Sequence, residues 1–333
     1  MKKNNGKRWI AVAIALLLFV ASSIVSNRSD KISEKQADKL KNEYLNQFNP
    51  FSATANKNIV EDGDKKNKIA LISYEGAIGD GEVYDSFMEQ LEDIYKDDSV
   101  KGVIMQVNSP GGAVYNSEQI ANKIKEIQTD KKIPVFTVMK TMAASGGYYI
   151  SAPTDKIYAS NETLTGSIGV IMSSRSFQGL FEKYGIKEQN ITTGKMKDAG
   201  SLGKDMTDEQ KKYFQDLINS SFDRFIKVVS QGRSIKEDEV RKLADGRVYD
   251  GAQAKNNGLV DKIGNLDDAI EDMKKDYKLN NPEVFEYEGS DYSLKKLFSK
   301  AQNLVEKNSS SDLSVLKELM EKESPLPMYY YGK

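Results

Sequence analysis

At 333 residues the chain is long enough for one catalytic domain with appendages, and 48 basic against 49 acidic residues leave no basic field for a nucleic acid partner. It contains no histidine and no cysteine. That excludes a Ser-His-Asp triad, a thiol nucleophile and disulfides, leaves carboxylates alone for a zinc or iron site, and confines acid–base chemistry to Lys, Asp, Glu or Tyr.

Lys2, Lys3, Lys7 and Arg8 precede an apolar run at 9–21 that continues through Ser22 and Ser23 to Val25. At ~1.5 Å per residue these roughly 17 residues reach about 25 Å, enough for a bilayer core with snorkelling flanks. Residues 1–28 are therefore expected to be a cytoplasmic basic end and a single transmembrane signal anchor in the cell membrane. Ala21-Ser22-Ser23 offers a cleavage site as the alternative. Basic residues ahead of the span place the remainder on the extracytoplasmic side. Residues 29–67, charged and poor in apolar side chains, read as a stalk or linker.

The catalytic domain is expected over 68–280. Apolar, β-branched runs at 69–74, 103–107 and 135–139 predict strands, and apolar spacing of three and four residues at 84–95 and 114–127 predicts helices between them. The order strand-helix-strand-helix-strand implies βαβ units in an α/β fold with a mostly parallel sheet. Reactive groups in such sheets gather beyond the strand C-termini. There the chain places Asn108-Ser109-Pro110-Gly111-Gly112 and Ala143-Ala144-Ser145-Gly146-Gly147, the latter followed by a helical stretch at 148–152. A third small-residue segment at 164–170 is expected to return to the same rim.

Taken singly, each of these is ordinary turn punctuation or a tight helix–sheet contact. Together they suit nucleophilic catalysis. Ser145 would attack a carbonyl, with a backbone N–H after it and a second N–H from Gly111 or Gly112 to hold the oxyanion. The base must be a lysine or a carboxylate. A lysine at its ordinary value of ~10.4 is charged at neutral pH, so it serves only where desolvation or a nearby cation favours the neutral amine. The loop-like segment Gly194-Lys195-Met196-Lys197-Asp198 offers two such lysines, and spacing alone does not choose between them.

Five ordered blocks resemble the bacterial signal peptide peptidase SppA family in its short, single-repeat form. They are Asn108 to Gly112, Ala144 to Tyr149, Thr165-Gly166-Ser167-Ile168-Gly169-Val170, Gly194 to Asp198, and the pair Gly246-Arg247-Val248-Tyr249 and Gly258-Leu259-Val260-Asp261. The resemblance spans about 69–261. It implies a ClpP/crotonase-like fold of repeated ββα/βαβ units and a membrane-anchored serine endopeptidase working through a Ser–Lys dyad without a cofactor. On it, Ser145 is the nucleophile, Lys197 the base, Ser167 the hydroxyl that orients the lysine, and the backbone N–H groups of Gly112 and Gly146 the oxyanion hole. It further implies cleaved signal peptides, with misfolded secreted proteins, as substrates. Rings or domes of identical subunits, such as an octamer, are implied too, with grooves shared between neighbours. Ala199-Gly200-Ser201-Leu202 departs from the family, where proline commonly follows the serine.

Two other readings make different demands. A crotonase-type acyl-CoA enzyme calls for acidic residues at the strand ends, where this chain has Ser-Gly-Gly, and a silent peptide-binding scaffold has no need of Ser145 or Lys197. Further along, 207–230 reads as a long helix with an apolar stripe for the core or a subunit interface, and Arg247 and Asp261 as structural ion-pairing residues. Residues 281–333 read as a C-terminal helical extension and flexible tail, with helical pieces at 294–304 and 312–322. The tail itself, 325–333, carries two prolines, a methionine and three tyrosines. Two readings stand for it: an extended segment docked in a peptide groove, its own or a neighbouring subunit's, as a self-ligand or regulator, or a disordered terminus.

Overall fold

The structure is a computed structural model that describes residues 57–287 and 328–330. The expected anchor, most of the stalk and the helices at 294–304 and 312–322 lie outside the described residues. Among the described residues no helix is long and apolar enough to cross a membrane.

The sheet is built from β1 (Lys57–Glu61), β2 (Asp64–Glu75), β3 (Val100–Ser109), β5 (Val135–Ala144), β6 (Lys156–Ala159), β9 (Lys262–Ile263) and β10 (Pro282–Tyr287) in the order β1-β10-β2-β3-β5-β6-β9. Every neighbouring pair on this path is parallel except β1 with β10. Beside it, β7 (Leu164–Gly166) runs parallel to the end of β5 and antiparallel to β8 (Val248–Tyr249). The mostly parallel α/β sheet expected from the βαβ pattern is present. Two strands come from segments the sequence reading placed elsewhere. Residues 57–67 of the expected stalk supply β1 and the start of β2, and β10 opens the expected helical extension.

Strand alternation divides the core. Ala70, Ile72, Tyr74, Val103, Met105 and Val107 face α1 (Glu82–Lys96), α2 (Val114–Asp130) and α3 (Gly146–Ser151), and Ile69, Leu71, Ile104 and Phe136 face α8 (Leu266–Asp276). In α1, Phe87, Leu91 and Ile94 form the buried stripe, and Glu82 and Asp85 in the first turn with Lys96 in the last suit the helix dipole.

Three further helices follow the catalytic strands: α4 (Gln178–Lys183), α5 (Asp208–Arg233) and α6 (Glu237–Leu243), with α7 (Gly251–Asn256) after β8. The long α5 starts on a capping box in which Thr207 accepts from Gln210 N and the Gln210 side chain accepts from Thr207 N. Its second half buries Phe225, Ile226 and Val229, but Tyr213 and Leu217 in its first half are exposed. The stripe expected over 207–230 is thus core at one end and open surface at the other.

Candidate active site

The site is assembled where β3 and β5 end. Beyond Ser109 the chain turns through Pro110 into β4 (Gly111–Ala113) and then α2. The turn is pinned on one side: Gly111 N donates to Ser109 Oγ at 3.1 Å, Ile78 N to Gly111 O at 2.8 Å, and Ala113 N to Ile78 O at 2.7 Å. Ser117 Oγ completes this by donating to Ala113 O at 2.9 Å. Since Gly111 O and Ala113 N face Ile78, strand alternation turns the N–H and C=O of Gly112 to the opposite edge. A Cβ on Gly112 would collide with the Ile78 carbonyl, so only glycine permits this approach.

At the end of β5, Ser145 carries φ 53 and ψ −113, a conformation that L-residues avoid at a cost of about 1–3 kcal/mol. The surroundings hold it there, with Ser145 N donating to Gly166 O at 2.8 Å and Tyr149 N donating to Ser145 O at 2.8 Å. A serine strained between a strand and a helix is the arrangement that presents Oγ at a sheet rim. Gly146 follows, and a Cβ built on it would lie 3.0 Å from Gly112 N and 2.8 Å from Ser117 Oγ. The backbones of Gly112 and Gly146, from separate turns, therefore approach closely next to the serine, where an oxyanion hole would need its two donors.

Ser167 arrives on the neighbouring strand. β7 pairs with β5 in register Ala144↔Gly166, so Ser145 and Ser167 step off adjacent parallel strands together. Ser167 also has a left-handed φ, 48, and its N–H donates to Arg247 O at 2.8 Å. Both serines are buried. The segment expected to return to the rim does so.

Lys197 stands apart. It is exposed, in a run of turns where Lys197 N donates to Gly194 O at 3.0 Å, and it lines a surface hollow with Gln189, Asn190, Thr192 and Asp198. Among the described residues, no hydrogen bond or ion pair joins it to Ser145 or Ser167. The structure thus brings together Ser145, Ser167, Gly112 and Gly146 and leaves Lys197 outside the group. It does separate the two candidate lysines. Lys195 Nζ is committed to Glu209 on α5 at 2.6 Å, while Lys197 makes no ion pair among the described residues. Asp198 next to it is taken by Lys204, whose ammonium holds the carboxyl below the usual range.

The remaining edge of β4 is occupied. β11 (Met328–Tyr330) pairs antiparallel with it in register Met328↔Ala113, Tyr329↔Gly112 and Tyr330↔Gly111. On its far side Met328 exchanges both backbone bonds with Ile171, at 2.9 and 3.0 Å. Since the polar groups of Met328 face Ile171, those of Tyr329 face Gly112. The Tyr329 ring is buried between Tyr149, stacked with centroids 4.8 Å apart, and Phe225 at 4.7 Å, and its hydroxyl donates to Ser221 O at 3.0 Å. This pocket was not legible in the sequence, since Tyr149, Ser221, Phe225 and Tyr329 come together only through long-range packing. Of the two expected ion-pairing residues, Asp261 pairs with Arg233 at 2.5 Å and Arg247 pairs with Asp245.

A strained serine at a strand end, glycine turns beside it and this chain's own strand β11 laid along β4 are features that a serine peptidase would use. The model of peptidase family S49 matches residues 127–280, and that of the Clp proteases matches 56–165. The chain is 39% identical over 346 aligned residues to an Enterococcus faecium protein assigned as signal peptide peptidase SppA, covering 98% of this chain and 99% of that one. Protease 4 of Haemophilus influenzae is 38% identical over 210 residues, 61% of this chain and 34% of its own length. The chloroplastic serine protease SPPA of Arabidopsis thaliana is 30% identical over 228 residues, 65% of this chain and 33% of its own. This chain therefore spans about a third of those two longer relatives. It belongs to peptidase family S49 and is a serine protease.

Proposed function

We propose that this protein is a membrane-anchored endopeptidase in which Ser145 is the nucleophile, Lys197 of a neighbouring copy is the general base, and cleaved signal peptides with unfolded secreted segments are the substrates. The observation that carries the reading is the strained Ser145 beside the closely approaching backbones of Gly112 and Gly146. An extended substrate would lie between β4 and Ile171 as an added strand, its main chain held by β-pairing and its reacting carbonyl against Gly112 N. Ser145 Oγ would attack as the neutral lysine takes its proton. The amine would then return the proton to the leaving nitrogen, and water would release the acyl group. Ser167, on the strand beside Ser145, would hold that amine.

The base from a neighbour rests on where Lys197 sits. Ile191 lines the same surface hollow as Lys197, and the stretches before and after that segment in the chain leave Phe177, Leu180, Tyr184, Ile186, Tyr213 and Leu217 exposed. So much exposed apolar surface in the part of the chain that carries the lysine suits coverage by a second copy of the chain in a ring or dome. The proposed extracytoplasmic location rests on the basic residues ahead of the apolar run, by the positive-inside rule. The test is cleavage of a quenched-fluorescence peptide of small apolar residues by residues 29–333, with Ser145→Ala as control. Equal turnover by both would end the proposal.

The tail 325–333 is then a self-ligand that competes with substrate. Deleting it, or replacing Tyr329 with Ala, is expected to lower the apparent KM severalfold, read from initial rates. Unchanged kinetics would remove the tail from regulation. Burial, with Tyr149 alongside, pushes the Tyr329 phenol above its ordinary value, Arg224 opposing. Docking therefore favours the neutral phenol: it is at full strength below the ordinary ~10 and is lost as pH rises beyond it toward the docked value. In a Ser145→Ala background, carboxypeptidase should trim the tail faster at pH 10.5 than at pH 8, and Tyr329→Phe should abolish that difference.

A further inference from the structure

The donor Gly112 owes its orientation to Ile78, whose N–H and C=O are bonded to Gly111 and Ala113. Ile78 lies in the loop between β2 and α1, which carries Gly76, Gly79 and Gly81. None of these three has any atom within 4 Å of where a Cβ would be, so close packing does not account for them. Glycines in open space leave the backbone free, yet this loop must hold one residue at hydrogen-bonding distance from the oxyanion turn.

Its fastenings can be named. Gly76 N donates to Asn108 O at 2.9 Å where the loop begins, and the Ile78 side chain is buried in the core. Beyond Ile78, one side-chain fastening is Asn116 Nδ2 donating to Asp80 Oδ1 at 2.9 Å. Asn116 is 3% exposed and sits in the first turn of α2, one residue before Ser117, which bonds Ala113 O. The same turn of α2 thus grips β4 directly through Ser117 and grips its brace through Asn116 and Asp80.

We propose that Asp80 and Asn116 are positioning residues, a latch that keeps Ile78 against β4 and so keeps Gly112 N aimed at the transition-state oxygen. The inference rests on Gly112 being an oxyanion donor. A donor displaced by a fraction of an ångström still meets a bound peptide but stabilises the tetrahedral oxygen less well. The latch therefore acts on kcat and leaves ground-state binding unchanged.

The test uses the detergent-solubilised full chain. Asp80→Ala and Asn116→Ala are each expected to lower kcat about tenfold with KM within about twofold, and the double variant to do no more than either alone. Affinity for a peptide boronate, which becomes tetrahedral on Ser145, should fall about tenfold, while the uncleaved peptide should bind Ser145→Ala equally well with or without Asp80→Ala. Asp80→Asn keeps an oxygen for Asn116 and should restore kcat. Unchanged kcat and boronate affinity in Asp80→Ala would overturn the latch, as would an equal loss of peptide and boronate binding. Unchanged boronate binding in Gly112→Ala, with wild type binding tightly, would instead remove the oxyanion reading and the latch with it.

Discussion

Ser145→Ala should lower peptidase turnover by at least about 10³-fold, and Lys197→Arg by a similar factor, with the folded assembly intact in both. The serine loss follows from the nucleophile itself, since the remaining N–H donors polarise a carbonyl without supplying an attacking group. The arginine variant is the sharper of the two. It keeps the positive charge and the length, so an electrostatic or interface role for Lys197 would survive it. A guanidinium does not give up its proton at working pH and cannot be a general base. Lys195→Ala, which removes only an exposed pair with Glu209, should cost little. Initial rates on one fluorogenic peptide, with sedimentation to confirm assembly, check all three variants.

The second large effect concerns the oxyanion donors. Gly146→Ala would put a methyl group 3.0 Å from Gly112 N and 2.8 Å from Ser117 Oγ, against the proposed donor Gly112. Loss of one oxyanion donor costs about 10²–10³ in rate, and Gly146→Ala is expected to reach that range in kcat while the tail strand still docks. Gly112→Ala should match it by another route, because its methyl group would meet the Ile78 carbonyl and move the whole turn. Single-turnover rates separate this from a binding defect: acylation should slow, with half-saturation unchanged. A variant that loses peptide binding in proportion to its rate would place these glycines in the groove floor and not in the hole.

The central part of the fold was legible because the strands buried on both faces are short β-branched runs bounded by glycine and proline, as at 103–107 and 135–139. The edges were less so. β1 is mostly exposed and reads Lys-Asn-Ile-Val-Glu, and β2 opens on five polar residues, so neither carries the apolar signal that would lift it out of a linker. Ser145, Ser167 and the glycine turns could be found because their chemistry is local: a strained strand end needs small residues after it. Lys197 was identifiable by resemblance, but its place was not readable, since a turn segment carries no periodicity to say which way it faces. Asp80, Asn116 and the Tyr149–Phe225 pocket had no local signal either, because each acts through contacts made far along the chain.

The central claim is a dyad completed between copies, and mixing two inactive proteins tests it most directly. Ser145→Ala and Lys197→Ala, each dead alone, would be dissociated together, reassembled at equal ratio and assayed on the fluorogenic peptide. If each groove takes its lysine from a neighbour, random assembly returns about a quarter of wild-type activity, since a working site needs an intact serine on one copy and an intact lysine on the next. Reassembly to full-size particles with no recovered cleavage would contradict it and return the base to the serine's own chain.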